Sequence, residues 1–128
     1  MRLTAIILCA ASLGFGGWII IGYNYPIMND GGKDVRVIED TWGTYPLEKA
    51  DVYASQDGAT WVWLGTADNT NFVGIHTISE FDLGSLAWAK YIKVVDVTRL
   101  EDFTGISGAD GYDLNAVVAV TDCQEPVC

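Results

Sequence analysis

The sequence predicts an all-β sandwich, and three observations carry that expectation. Fourteen glycines accompany many β-branched and aromatic residues, a mixture that suits strands and tight turns better than helices. Short runs of alternating apolar and polar residues are separated by turn signals at regular spacing. No stretch sustains the period of an amphipathic helix, and no internal repeat appears.

The opening segment is compositionally separate. No acidic residue occurs before Asp30, and Arg2 is the only charge in the first 29 residues. Residues 3–23 are uncharged and long enough for a membrane-spanning helix. Gly14, Gly16, Gly17 and Gly22 argue against that reading, since each costs a helix interior roughly 1 kcal/mol relative to alanine. Residues 1–11 read as a signal peptide or an N-terminal extension: Arg2, an apolar stretch, then Cys9-Ala10-Ala11 as a cleavage site. Residues 12–25 read as a buried strand centred on Trp18-Ile19-Ile20-Ile21 and closed by Pro26. The cleavage and strand readings are compatible, and together they are preferred to a membrane span.

Further along, Asn29-Asp30-Gly31-Gly32 is a turn before a strand in which Val35 and Val37 share a face. Residues 40–49 form a loop punctuated by Gly43 and Pro46. Residues 50–55 alternate, setting Ala50, Val52 and Ala54 opposite Asp51, Tyr53 and Ser55. Asp57-Gly58 is a hairpin turn, and Trp61 and Trp63 on the returning strand share a face that reads as packing. Residues 72–78 form another strand, and 86–90 a single turn. Residues 91–97 make a core strand with Ile92 and Val94 on one face. After a glycine-rich loop at 105–111, Leu114, Ala116, Val118 and Val120 alternate along the last strand. The sandwich therefore covers 12–121, leaving 122–128 as a C-terminal tail.

At 128 residues the chain makes one domain with a real core, and its 50% hydrophobic content excludes a disordered tail. Seventeen acidic residues against seven basic ones give a net charge of −10. Such a surface repels phosphates, which excludes nucleic acid as a partner and disfavours anionic membranes. Divalent cations and sugars remain, and solubility alone accounts for the acidity equally well.

The motifs occur in a recognisable order. Residues 12–17 (Ser-Leu-Gly-Phe-Gly-Gly) precede an apolar strand, and the loop from Asp30 to Asp34 leads into Val35-Arg-Val-Ile-Glu39. Val52-Tyr-Ala-Ser-Gln-Asp-Gly58 continues to Trp61 and Leu64-Gly65. Then follow Phe81-Asp-Leu83, Ala89-Lys-Tyr-Ile-Lys-Val-Val-Asp96 and Gly108-Ala-Asp-Gly-Tyr-Asp-Leu-Asn-Ala-Val117. Together these resemble the galactose-binding-like jelly rolls of secreted and surface-anchored microbial proteins, which are related to discoidin domains. The resemblance implies a sandwich whose ligand, a glycan or a protein, binds loops at one end. Such domains have a further strand before the glycine-rich one, where this chain has only residues 1–11. Either those residues supply a substitute strand, or the sheet has an open slot.

Catalysis finds no support. His76 is the only histidine, which leaves no imidazole pair for zinc and no evident nucleophile–base couple. The carboxylate pairs Glu39-Asp40 and Glu101-Asp102 carry no sign of being tuned, because sequence neighbours on a strand point apart. Calcium has more to offer, since it prefers carboxylate and carbonyl oxygens supplied by loops. Asp30 and Asp34 flank one glycine turn and Asp110 and Asp113 another. The resemblance implies a structural calcium ion between an early loop and the last strand. Alternatively, these aspartates only shape turns.

For recognition, Trp42 and Tyr45 lie in an inter-strand loop beside Asp40. Their flat faces suit a pyranose, although burial against the sandwich edge is the preferred outcome for Trp42. Without Cys9, Cys123 and Cys128 form an even pair. A disulfide closing so short a loop adds roughly 2 kcal/mol, and two free thiols or an intersubunit bond are the rivals. The resulting expectation is a non-catalytic, secreted or cell-surface binding or adhesion module. The alternatives are a structural subunit that self-assembles by strand exchange, or a membrane-anchored surface protein.

Overall fold

The computed structural model describes residues 2–40, 46–107 and 111–121, with the backbone alone for 2–11 and 121. Among these residues, nine strands form two antiparallel sheets. They are β1 (Arg2–Ser12), β2 (Trp18–Met28), β3 (Val35–Asp40), β4 (Lys49–Ser55), β5 (Val62–Asp68), β6 (Phe72–Val73), β7 (His76–Phe81), β8 (Trp88–Asp96) and β9 (Asp113–Thr121). The five-stranded sheet has the order β1-β9-β3-β7-β6 and the four-stranded sheet β2-β8-β4-β5. Among the described residues, no helix is long and apolar enough to cross a membrane.

The uncharged opening segment is thus two strands on different sheets, joined by the turn at 13–17. Strand β1 pairs with β9, from Arg2 opposite Thr121 to Ser12 opposite Asp113. The substitute strand expected at the start of the chain is therefore present, and β9 has a neighbour on each side. The buried strand expected over 12–25 begins only at Trp18.

The core lies between the sheets. Ile21, Val52, Ala54, Ile92 and Val94 face it from the four-stranded sheet, and Val35, Val37, Leu114 and Val117 from the other. This places Ala50, Val52, Ala54, Ile92 and Val94 inside, as their alternation requires.

Three local expectations change. The strand expected over 72–78 is a hairpin, β6–β7. The turn expected at 86–90 ends earlier, because β8 begins at Trp88. Along β9, strict alternation fails at a register shift where Ile38 faces Ala116 but Glu39 faces Leu114. A bulge adds one residue and reverses every side chain beyond it. The core therefore receives Leu114, Val117 and Ala119 rather than Ala116 and Val118.

Two aspartates hold the ends of the sandwich. At one end, Asp34 Oδ1 accepts from the Asp30 amide and Oδ2 from the Leu83 amide, both at 2.9 Å. At the other, Asp96 Oδ1 accepts from the Thr98 amide at 2.7 Å and Oδ2 from the Tyr112 amide at 2.8 Å. The chain passes so close to Asp96 that a Cβ on Gly111, whose φ is +81°, would strike the carboxylate. That position needs glycine twice over.

Candidate functional site

The outer face of the four-stranded sheet is the most unusual surface of the molecule. Its cross-strand pairing sets Ile20 beside Lys93, Tyr53 and Trp63 in one row, and Trp18 beside Val95, Asp51 and Thr66 in the next. Trp18 is 61% exposed and Trp63 58%. Tryptophan is usually largely buried, so two exposed indoles on one sheet face call for a physical cause.

The cause lies in β5. Ala67 is fully buried, and counting back from it by twos would send Gly65, Trp63 and Trp61 inward. The register instead shifts between Val52 opposite Gly65 and Tyr53 opposite Trp63. Leu64 is the extra residue and packs partly against the core, so Trp63 turns outward. Gly65 makes the shift possible: its φ is +152°, and a Cβ there would come within 2.8 Å of the Phe81 ring. The expectation that Trp61 and Trp63 are packing residues is therefore corrected, Trp63 being exposed and Trp61 half-buried. The signal available in the sequence was Gly65 itself, a glycine inside a strand pattern.

These side chains are organised. Trp63 Nε1 donates to Asp51 Oδ1 at 3.2 Å, and Thr66 Oγ1 donates to the same oxygen at 2.6 Å. Lys93 Nζ lies 5.1 Å from the centroid of the Trp18 ring and 5.7 Å from that of Trp61, within cation–π range of both. Tyr53, Trp61, Lys93 and Val95 line an open hollow of about 350 Å³. The surface thus offers aromatic walls, one ammonium group and one oriented carboxylate.

A second group of side chains sits where β3 ends and β7 and β9 begin. Asp40 Oδ1 and His76 Nδ1 are 2.5 Å apart. Asn115 Nδ2 donates to Asp40 Oδ2 at 3.0 Å. The recognition candidate Asp40 thus lies against His76 and Asn115 within the sheet. Its partners in that expectation, Trp42 and Tyr45, lie outside the described residues.

Beneath them, Glu39 is fully buried and accepts from Thr77 Oγ1 at 3.1 Å. Burial first, and then the neighbouring Glu48 carboxyl, push its pKa up to about 10. Burial, then the charges of Glu39, Asp68 and Glu48, hold the Tyr112 hydroxyl well above its ordinary value. A tuned carboxylate was not expected from the sequence. Its partner is Glu48 rather than Asp40, and the readable sign was that Glu39 continues the inward face of Val35 and Val37.

Of the proposed calcium ligands, Asp34 and Asp113 do not converge. Asp34 precedes β3 and Asp113 opens β9, and these strands run antiparallel. The six residue steps between the levels of Asp34 and Asp40 put the two carboxylates about 20 Å apart at the usual strand rise, so one ion cannot join them. Asp34 is engaged by two backbone amides, as the turn-shaping alternative requires. Asp30 and Asp113 have partners of their own. Asp110, Cys123 and Cys128 lie outside the described residues.

No family model and no curated protein matches the chain. Solved structures do. One is the C-terminal domain of a chitobiase from Bacteroides fragilis, with TM-score 0.52, 20% identity and coverage of 81% of this chain. Another is the CBM32 domain of AlyQ in complex with 4,5-unsaturated mannuronic acid, with TM-score 0.53, 10% identity, and coverage of 94% of this chain and 78% of that one. This chain spans 62% of the chitobiase domain's length. At these identities the likeness concerns fold alone. The protein has the β-sandwich fold of these two domains, the galactose-binding-like jelly-roll fold that the sequence resembles.

Proposed function

We propose that this protein is a non-catalytic carbohydrate-binding module of the extracellular or cell-surface kind, and that it binds glycan on the outer face of the four-stranded sheet. The observation that supports this is the outward rotation of Trp63 by the Leu64 bulge, which gathers Trp18, Trp61 and Trp63 around one face. Indole rings cover the apolar face of a pyranose, while flanking polar groups bond its hydroxyls. Asp51 supplies an acceptor and Lys93 donors for that purpose. The solved domains of like fold come from a chitobiase and from a mannuronate complex, which agrees with a carbohydrate ligand. Glycan-array binding by the isolated domain, lost in Trp61→Ala/Trp63→Ala with the fold intact, is the test.

A further inference from the structure

The ammonium group of Lys93 occupies an unusual place in this chain. Seventeen carboxylates outnumber seven basic side chains, so a lysine on such a surface is expected to meet an acidic neighbour. Arg36 meets Glu80 at 3.2 Å, and Arg99 meets Glu101 at 2.9 Å. Lys93 makes no such pair among the described residues, and neither do Lys33, Lys49 and Lys90. What sets Lys93 apart is its place: its ammonium lies over Trp18 and Trp61, at the open hollow lined by Tyr53, Trp61 and Val95.

The nearest carboxylate along the sheet is Asp51, which faces Val95, the residue two on from Lys93. Its Oδ1 takes both the Trp63 indole N–H and the Thr66 hydroxyl. The sheet therefore presents a cation that makes no ion pair with a carboxylate among the described residues. Indole faces attract the ammonium through their quadrupoles, but they accept its hydrogen bonds poorly. A carboxylate entering the hollow would meet a partly desolvated positive charge, and a charge-assisted bond there is stronger than a neutral one.

On the reading that this face binds glycan, we infer that its ligand is an acidic carbohydrate, a chain containing hexuronate residues. One uronate carboxylate engages Lys93 Nζ, and the adjoining pyranose ring lies against Trp61 or Trp63. The chain's overall negative charge argues for a short, local contact rather than for attraction at a distance, because fields beyond a Debye length are screened. Acidic polymers would therefore be held by this one pocket and not by the surface at large.

The test titrates the intact domain with galacturonate and mannuronate oligosaccharides and with the same oligosaccharides after carboxyl reduction, which leaves the rings and removes the charge. The inference expects at least one uronate to bind about tenfold more tightly than its reduced form, the scale of one charge-assisted contact. Lys93→Gln should erase that ratio, Lys93→Arg should keep most of it, and added salt should shrink it. Equal affinity for the charged and reduced forms would overturn the inference while leaving a glycan-binding face intact. So would a ratio unchanged in a folded Lys93→Gln. Binding of neither form, with no other glycan bound on an array, would overturn the proposed function together with the inference.

Discussion

Trp63 is held outward by Asp51: its indole N–H reaches Asp51 Oδ1 across the β4–β5 ladder at 3.2 Å, with Thr66 bonded to the same oxygen. The bulge decides which face the indole occupies, and the carboxylate decides how the ring stands on it. Asp51→Ala should therefore weaken glycan binding about three- to tenfold by freeing the ring, the cost of one orienting contact. Stability should change by less than about 1 kcal/mol, because these groups are solvent-accessible. Calorimetric titration beside a thermal melt separates the two. Unchanged affinity with a large loss of stability would make Asp51 a structural residue only.

Asp34 supports the opposite conclusion for its own site. It is buried and accepts from the backbone amides of Asp30 and Leu83. Asp34→Ala should cost about 2–4 kcal/mol, since each buried donor left unsatisfied costs about 1–3 kcal/mol. Urea denaturation should show this loss equally with calcium and with a chelator. A loss seen only when calcium is present would restore Asp34 as a metal ligand.

Much of the fold was legible because it depends on local signals. Alternation placed Ala50, Val52, Ala54, Ile92 and Val94 inside, and Asp57-Gly58 marked the β4–β5 turn. There Asp57 Oδ1 collects the amides of Ala59 and Thr60, which lowers its pKa. The candidate face was not legible, because it depends on a register shift. One extra residue at Leu64 converts an inward tryptophan into an outward one, and hydrophobicity reads the same in both cases. The same limitation misplaced Ala116 and Val118 on β9. The Glu39–Glu48 pair was hidden for another reason: Glu39 lies on β3 and Glu48 just before β4, and only the tertiary fold brings them together.

That pair makes stability depend on pH. The folded-state pKa of Glu39 is raised to about 10 from an unfolded value of 4.5. A group raised in this way contributes fully below the unfolded value, and its contribution is lost as pH rises toward the folded value. Between about pH 5 and pH 9 the unfolded chain ionises while the buried carboxyl stays protonated, so stability should fall with rising pH. The limit is about 1.4 kcal/mol per pH unit for one proton. Glu39→Gln, isosteric and always neutral, should flatten the slope and be the more stable form at pH 9. An identical slope in this variant would show that Glu39 is not the group responsible.

The central claim is that glycan binds the sheet face rather than the loops, and one comparison tests it most directly. Affinity for a glycan identified on an array is measured for the wild-type domain, for Trp61→Ala/Trp63→Ala and for Trp42→Ala, each shown to be folded by circular dichroism. Losing two stacking surfaces should cost about a hundredfold or more. That loss is expected in the sheet-face double variant, with near wild-type affinity in Trp42→Ala. The reverse pattern, with the double variant binding normally and Trp42→Ala silent, would rule it out and move the site to the segment around Trp42.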